Sequence, residues 1–170
     1  MGKVQSAFGN GNNGAVSRSI DDVIISVKNA GNTDIPFGAP VFMTSDGAVP
    51  FDLSDPQEFA TFLGFAVRVA DKTPDTYPQG QFNDGNTEGE VGKWKAGDVM
   101  EVLVRGSIAV PLTASGSLGG NVYIRKSDGK LTASAGSSGS TVLLENVRIR
   151  RPRNSYSACA EVVVSKRNIL

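Results

Sequence analysis

The side chains that most often carry out acid–base and metal chemistry are nearly missing from this sequence. It contains no histidine, which removes the commonest general base, proton shuttle and metal ligand. Its one cysteine, Cys159, can make neither an internal disulfide nor a zinc site of any familiar kind. In the run Ala158-Cys159-Ala160-Glu161-Val162-Val163-Val164 that thiol reads as a small buried hydrophobe. Asp52, Asp55 and Glu58 are the nearest approach to a carboxylate cluster. Their spacing fits neither an EF-hand nor another oxygen cage, and no carboxylate pair is singled out for glycoside hydrolysis. The expectation is therefore no enzyme, no catalytic residue, no cofactor and no metal, with stability indifferent to chelators.

Three further patterns could do chemistry of recognition. Gly9-Asn10-Gly11-Asn12-Asn13-Gly14 has the letters of a dinucleotide loop, but that loop needs a strand before it and a helix after it. Here a polar segment precedes it, and Ser17-Arg18-Ser19-Ile20 leads into a strand. Arg148, Arg150, Arg151 and Arg153 form a local basic cluster. On a strand, Arg148 and Arg150 share one face and Val147 and Ile149 the other. No aromatics interleave for base stacking, so a protein contact is favoured over DNA. Lys93-Trp94-Lys95 holds the only tryptophan, which reads equally as a core plug or as an exposed interface anchor.

Overall charge supports the protein-contact reading. Lys plus Arg and Asp plus Glu are 17 each, for a formal net charge of zero, whereas nucleic-acid binders carry a basic excess that neutralises phosphates. No segment approaches the roughly 18 apolar residues of a membrane span, and no apolar leader opens the chain. A soluble protein made in a reducing cytosol is expected, with no nucleic-acid or membrane partner.

The elements that must position these residues are short strands. Twenty glycines and eight prolines in 170 residues imply many turns. Residues 1–20 read as an extended arm and 21–170 as a single β domain. Val23-Ile24-Ile25-Ser26-Val27 begins that domain, and Gly38-Ala39-Pro40-Val41-Phe42-Met43 runs into a turn at Ser45-Asp46-Gly47. Asp55-Pro56-Gln57-Glu58 has the capping chemistry of one short helix over residues 56–62, followed by a strand from Phe65 to Val69. Residues 71–98 form a long polar loop carrying Tyr77, Phe82 and Trp94, and loops of such length are usually functional or disordered. Residues 99–112 give one long bent strand or two, broken at Gly106.

The second half of the chain echoes the first. Gly119-Gly120-Asn121-Val122-Tyr123-Ile124 followed by Ser127-Asp128-Gly129 matches the earlier strand and turn. Leu144 to Ile149 matches Gly64 to Val69, and Ala160 to Val164 matches Met100 to Val104. The order of the matches is kept, so two pseudo-repeated hairpin units are expected to close a compact β-barrel or β-sandwich with protected edges.

These features together, with Leu63-Gly64-Phe65-Ala66-Val67 and Glu101-Val102-Leu103-Val104-Arg105-Gly106-Ser107-Ile108-Ala109-Val110, resemble the cement or decoration proteins of tailed phages over residues 20–165. The resemblance implies an all-β body that sits on the outside of the capsid as a homotrimer and bridges major capsid subunits in the expanded head. It implies a protein of the virion surface, made in the bacterial cytoplasm. A carbohydrate- or receptor-binding β module of a tail or fibre is the alternative. The residues expected to contact protein partners are Phe8, Arg18, Tyr77, Phe82, Trp94, Arg148 and Arg150. An arm of 20 residues extends up to about 60 Å, enough to reach a neighbouring subunit.

Overall fold

The computed structural model describes residues 11–53, 61–69, 92–154 and 158–168, the side chains of Arg18, Ser19 and Ile20 excepted. All of its regular elements are strands: β1 (Val16–Lys28), β2 (Ile35–Pro36), β3 (Pro40–Thr44), β4 (Gly47–Pro50), β5 (Thr61–Ala66), β6 (Lys93–Trp94), β7 (Val99–Pro111), β8 (Asn121–Arg125), β9 (Leu131–Thr132), β10 (Thr141–Arg151) and β11 (Cys159–Val164). β2 and β6 make a two-stranded ribbon, and the others form one antiparallel sheet in the order β4-β3-β5-β7-β11-β10-β8-β9, with β1 added on β7.

That order is a palindrome of the sequence repeat. Each half supplies a hairpin (β3–β4 or β8–β9), a strand laid against it (β5 or β10) and a strand at the centre (β7 or β11). The two central strands pair antiparallel from Gly106↔Val164 to Pro111↔Cys159. The sheet curls as a half-barrel. At its first end β4 comes round to β1, where Asn29 bridges Ala48 and the Ala30 N–H donates to the Ala48 carbonyl at 2.8 Å.

Curling leaves two apolar cores. Leu103, Ile108 and Val110 of β7 point into the larger one, with Phe65, Val122, Ile124, Leu144, Val147, Ile149 and Val162. Met100, Val102 and Val104 alternate to the other side, against Ile35, Phe37, Leu63 and Trp94. The alternation is what a strand buried on both faces requires.

Of the two alternatives for residues 99–112, β7 is the single strand, continuous through Gly106. Opposite Gly106, β1 carries a bulge: Arg18 pairs Ser107 and Val23 pairs Arg105. Gly106 has φ +123, and a Cβ there would lie 2.0 Å from Asp22 Oδ1. That oxygen instead accepts the Ser107 N–H at 3.2 Å, replacing the ladder bond that the bulge interrupts.

Four expectations need correction. Residues 11–20, expected within the arm, belong to the body: the Gly14 N–H donates to Ala109 and the Gly14 carbonyl accepts from Arg68, both at 2.8 Å. The strand expected over 65–69 instead spans Thr61–Ala66. Thr61 and Phe62, given to the short helix, pair Met43 and Phe42 of β3, because Phe62 then stacks edge-on to Phe65 (5.3 Å) and Phe42 (5.9 Å) over the larger core. The remainder of the expected helix, residues 56–60, lies outside the described residues. Finally, the expected long loop has a structured end, since β6 falls within 71–98.

Candidate functional site

The second half of the sheet covers the larger core with one face and leaves the other outward. On β10, Val147 and Ile149 are buried at 0% and 1% exposure while Arg148 and Arg150 are exposed, as their alternation predicts. The pairing register places Arg18, Ser107, Val163, Arg148 and Asn121 in one row across β1, β7, β11, β10 and β8. The row joins backbone positions far apart in sequence, and on β10 it passes through the exposed Arg148. Leu143, 43% exposed, and its partner Tyr123 extend that surface toward β8.

The electrostatics of the face are partly self-compensated. Arg150 Nε lies 3.9 Å from Glu161 Oε1, whose side chain is 6% exposed, and Arg150 also donates to Ser107 Oγ at 3.4 Å. Arg105 pairs with Asp21 at 2.6 Å. Arg153 turns away and donates to the Leu112 carbonyl at 2.9 Å. Arg148 donates at 2.9 Å to the carbonyl of Val147, which does not neutralise its charge. The result is an amphipathic sheet face: apolar patches at Leu143, Tyr123 and Val163 around a guanidinium with no carboxylate partner among the described residues. Such a face suits contact with a protein surface carrying carboxylates. Its one aromatic, Tyr123, is half-buried and accepts from Asn121 Nδ2 at 3.1 Å.

Trp94 does not belong to this surface. It is 4% exposed, its indole N–H donates to the Val67 carbonyl at 3.0 Å, and Phe37 meets it edge-on at 6.2 Å. Between the two readings of the tryptophan, the core plug is what the structure contains. The anchor reading is withdrawn, because a buried indole in a satisfied hydrogen bond offers no contact area. Lys93 reaches Asp34 at 2.9 Å, and this pairing, with the Ala96 N–H, holds the Asp34 carboxyl below its ordinary range. Phe8, Tyr77 and Phe82 lie outside the described residues.

The remaining motifs have structural roles. Gly14, the last glycine of the dinucleotide-like run, has φ +74, and a Cβ there would press within 2.9 Å of Gly38 N and Ala66 O. The residues after it enter β1, not a helix. Cys159 is buried and donates to Asn13 Oδ1 at 2.7 Å. Among the described residues, no three His, Cys, Asp or Glu side chains are placed to hold a metal ion.

Sequence reasoning missed one feature, a cleft of about 550 Å³ beside the β8–β9 turn, lined by Arg125, Lys126, Thr132 and Ser134. Its signal was present in the unequal lengths of the two matching hairpins.

Comparison with known proteins bears on the whole chain. A family model described as "Structural cement protein (E217 gp24/Pam3 gp6)", a phage cement family, matches residues 2–165. Among solved structures, a chain from the capsid of Myoviridae phage XM1 superposes with a TM-score of 0.68 at 17% identity, covering 96% of each chain. The N base of head fibre gp8.5 from bacteriophage phi29 gives a TM-score of 0.40 at 12% identity, over 87% of this chain and 99% of that one. No curated protein sequence matches.

Proposed function

Because this chain belongs to the phage structural cement protein family, and is thus a structural protein of the phage, we propose that it binds the outside of the capsid shell and bridges major capsid subunits in the expanded head. It does so as a homotrimer on the virion surface, with residues 1–10 and the 71–91 segment adding contacts beyond the body. The observation that carries this reading is the outward face of β10, β11 and β8, where Arg148 stands among half-exposed apolar side chains with no carboxylate partner among the described residues. This is a surface fitted for area and charge complementarity.

The physics of the role is linkage. A protein that binds only the expanded shell stabilises it by mass action, more strongly as its free concentration exceeds the dissociation constant. A stable contact of this kind buries more than about 1,000 Å². Zero net charge lets such binding survive moderate salt, because only the local pairs around Arg148 are screened.

The test is charge reversal on the face. Arg148→Glu should leave the protein folded and weaken shell binding by about tenfold or more, since an unpaired or repelled charge in an interface typically costs 2 kcal/mol or more. Unchanged occupancy of Arg148→Glu on shells would remove this face from the contact.

A further inference from the structure

The two hairpins are not identical. Val41-Phe42-Met43-Thr44 runs directly into Ser45-Asp46-Gly47, and Thr44 pairs with Gly47 across a tight turn. In the second copy, Val122-Tyr123-Ile124-Arg125 is followed by one additional residue, Lys126, before Ser127-Asp128-Gly129. The extra residue widens the turn. The Gly129 N–H closes back on the Arg125 carbonyl at 2.9 Å, and the Lys126 N–H donates to Ser140 at 3.0 Å, tying the turn to the loop before β10. The cleft of about 550 Å³ lies between them.

Donors and acceptors both line that cleft: Ser140 and Thr141 have given their hydroxyl protons to the Ser137 and Ala135 carbonyls, while four other side chains keep donors. Arg125 is held in place by Asp128, with its Nε 3.1 Å from Oδ1. Lys126 is half-buried and, among the described residues, has no carboxylate partner. Thr132 is 4% exposed. Its oxygen accepts the Ser134 N–H at 3.2 Å, and its own proton has no acceptor among the described residues. Ser134 Oγ accepts the Gly136 N–H at 3.4 Å, which leaves its proton free as well. Hydroxyl protons and a half-desolvated ammonium lining one cleft, without an acceptor among the described residues, are complementary to an oxyanion. The space exceeds what a bare oxyanion fills and falls within the range of small-ligand sites. The lining hydroxyls of Ser140 and Thr141 keep lone pairs that can accept from sugar hydroxyls.

We propose that this cleft binds a sugar unit bearing an oxyanion, of the uronate type, with Lys126 and Arg125 facing the carboxylate and Thr132 and Ser134 donating to it and to ring oxygens. The site is independent of the face around Arg148 and asks nothing of shell binding.

The experiment is calorimetric or NMR titration of the full chain at low salt with glucuronate, glucose and inorganic phosphate. The expected result is saturable binding of glucuronate at least about tenfold tighter than either glucose or phosphate, and weakening with added salt. Lys126→Met should lower that affinity at least about tenfold with an unchanged thermal midpoint. Glucose binding as tightly as glucuronate would overturn oxyanion recognition, and phosphate binding as tightly would reduce the site to a bare-anion subsite. No binding of glucuronate, or full retention by Lys126→Met, would refute the assignment.

Discussion

Trp94→Ala is the sharpest perturbation of the fold, because it separates a core plug from a partner anchor without needing the partner. Trp94 is 4% exposed among Ile35, Phe37, Leu63 and Met100. Truncating a buried tryptophan costs about 3–5 kcal/mol in lost transfer energy and residual cavity. The same change leaves the Val67 carbonyl, now paired to the indole at 3.0 Å, without that donor, which keeps the cost toward the upper part of that range. For a chain of this size each kcal/mol moves the midpoint by about 2–4 °C, so a loss of about 4 kcal/mol lowers it by about 8–16 °C. Thermal denaturation followed by circular dichroism reads this directly, and indole emission of the wild type should shift to the red on unfolding. Trp94→Phe keeps most of the packing, including the edge of Phe37, and should cost about 1–2 kcal/mol. A Trp94→Ala midpoint within about 3 °C of wild type, about 1 kcal/mol, would refute the buried placement and return the residue to the list of anchors.

Other outcomes follow from single contacts. Gly106→Ala forces a side chain into φ +123 and onto Asp22 Oδ1, so it should cost about 3 kcal/mol from strain and the displaced Ser107 bond. Asp22→Ala in the same chain should recover part of that loss in a double-mutant cycle, and full additivity would show that the two do not meet. Burial raises the Asp128 carboxyl, but the Arg125 guanidinium and the Lys130 N–H together outweigh it and hold the group below the ordinary carboxylate range. A depressed folded value contributes stability above the unfolded value that is lost as pH falls through the folded one. Asp128→Asn should therefore be less stable than wild type at neutral pH, with the gap closing below about pH 4. A gap that widened on acidification would contradict the pairing.

How much of this was legible in the sequence depended on the range of the interactions. Both Ser-Asp-Gly turns and the inward–outward alternation of Val147 to Arg150 are local, set by turn chemistry and by a period of two, and both are found where they were expected. The palindromic strand order likewise follows from repeated segments kept in the same order. What could not be read locally was pairing imposed from a distance. Val16 and Arg18 carry no strand pattern of their own and are extended because β7 offers them partners at Ile108 and Ser107. Thr61 and Phe62 follow a strong helix-capping sequence, yet they pair with β3, where Phe62 meets Phe42 while packing on Phe65 of its own strand. Trp94 sits between two lysines, and only the ribbon of β2 with β6, with Ile35 opposite it, turns it inward. The row from Arg18 to Asn121 spans five strands and is invisible until the register is known.

The central claim is attachment to the outside of an expanded capsid, bridging its major subunits. The most direct measurement mixes the purified full chain with expanded shells that lack it and determines occupancy by sedimentation, alongside a form without residues 1–10. The account predicts that the full chain co-sediments at a saturable, fixed ratio to the major capsid subunit and raises the midpoint of shell disassembly, and that the truncated body remains folded but binds more weakly. Failure of the full chain to bind any shell, or binding without a fixed ratio, would contradict it.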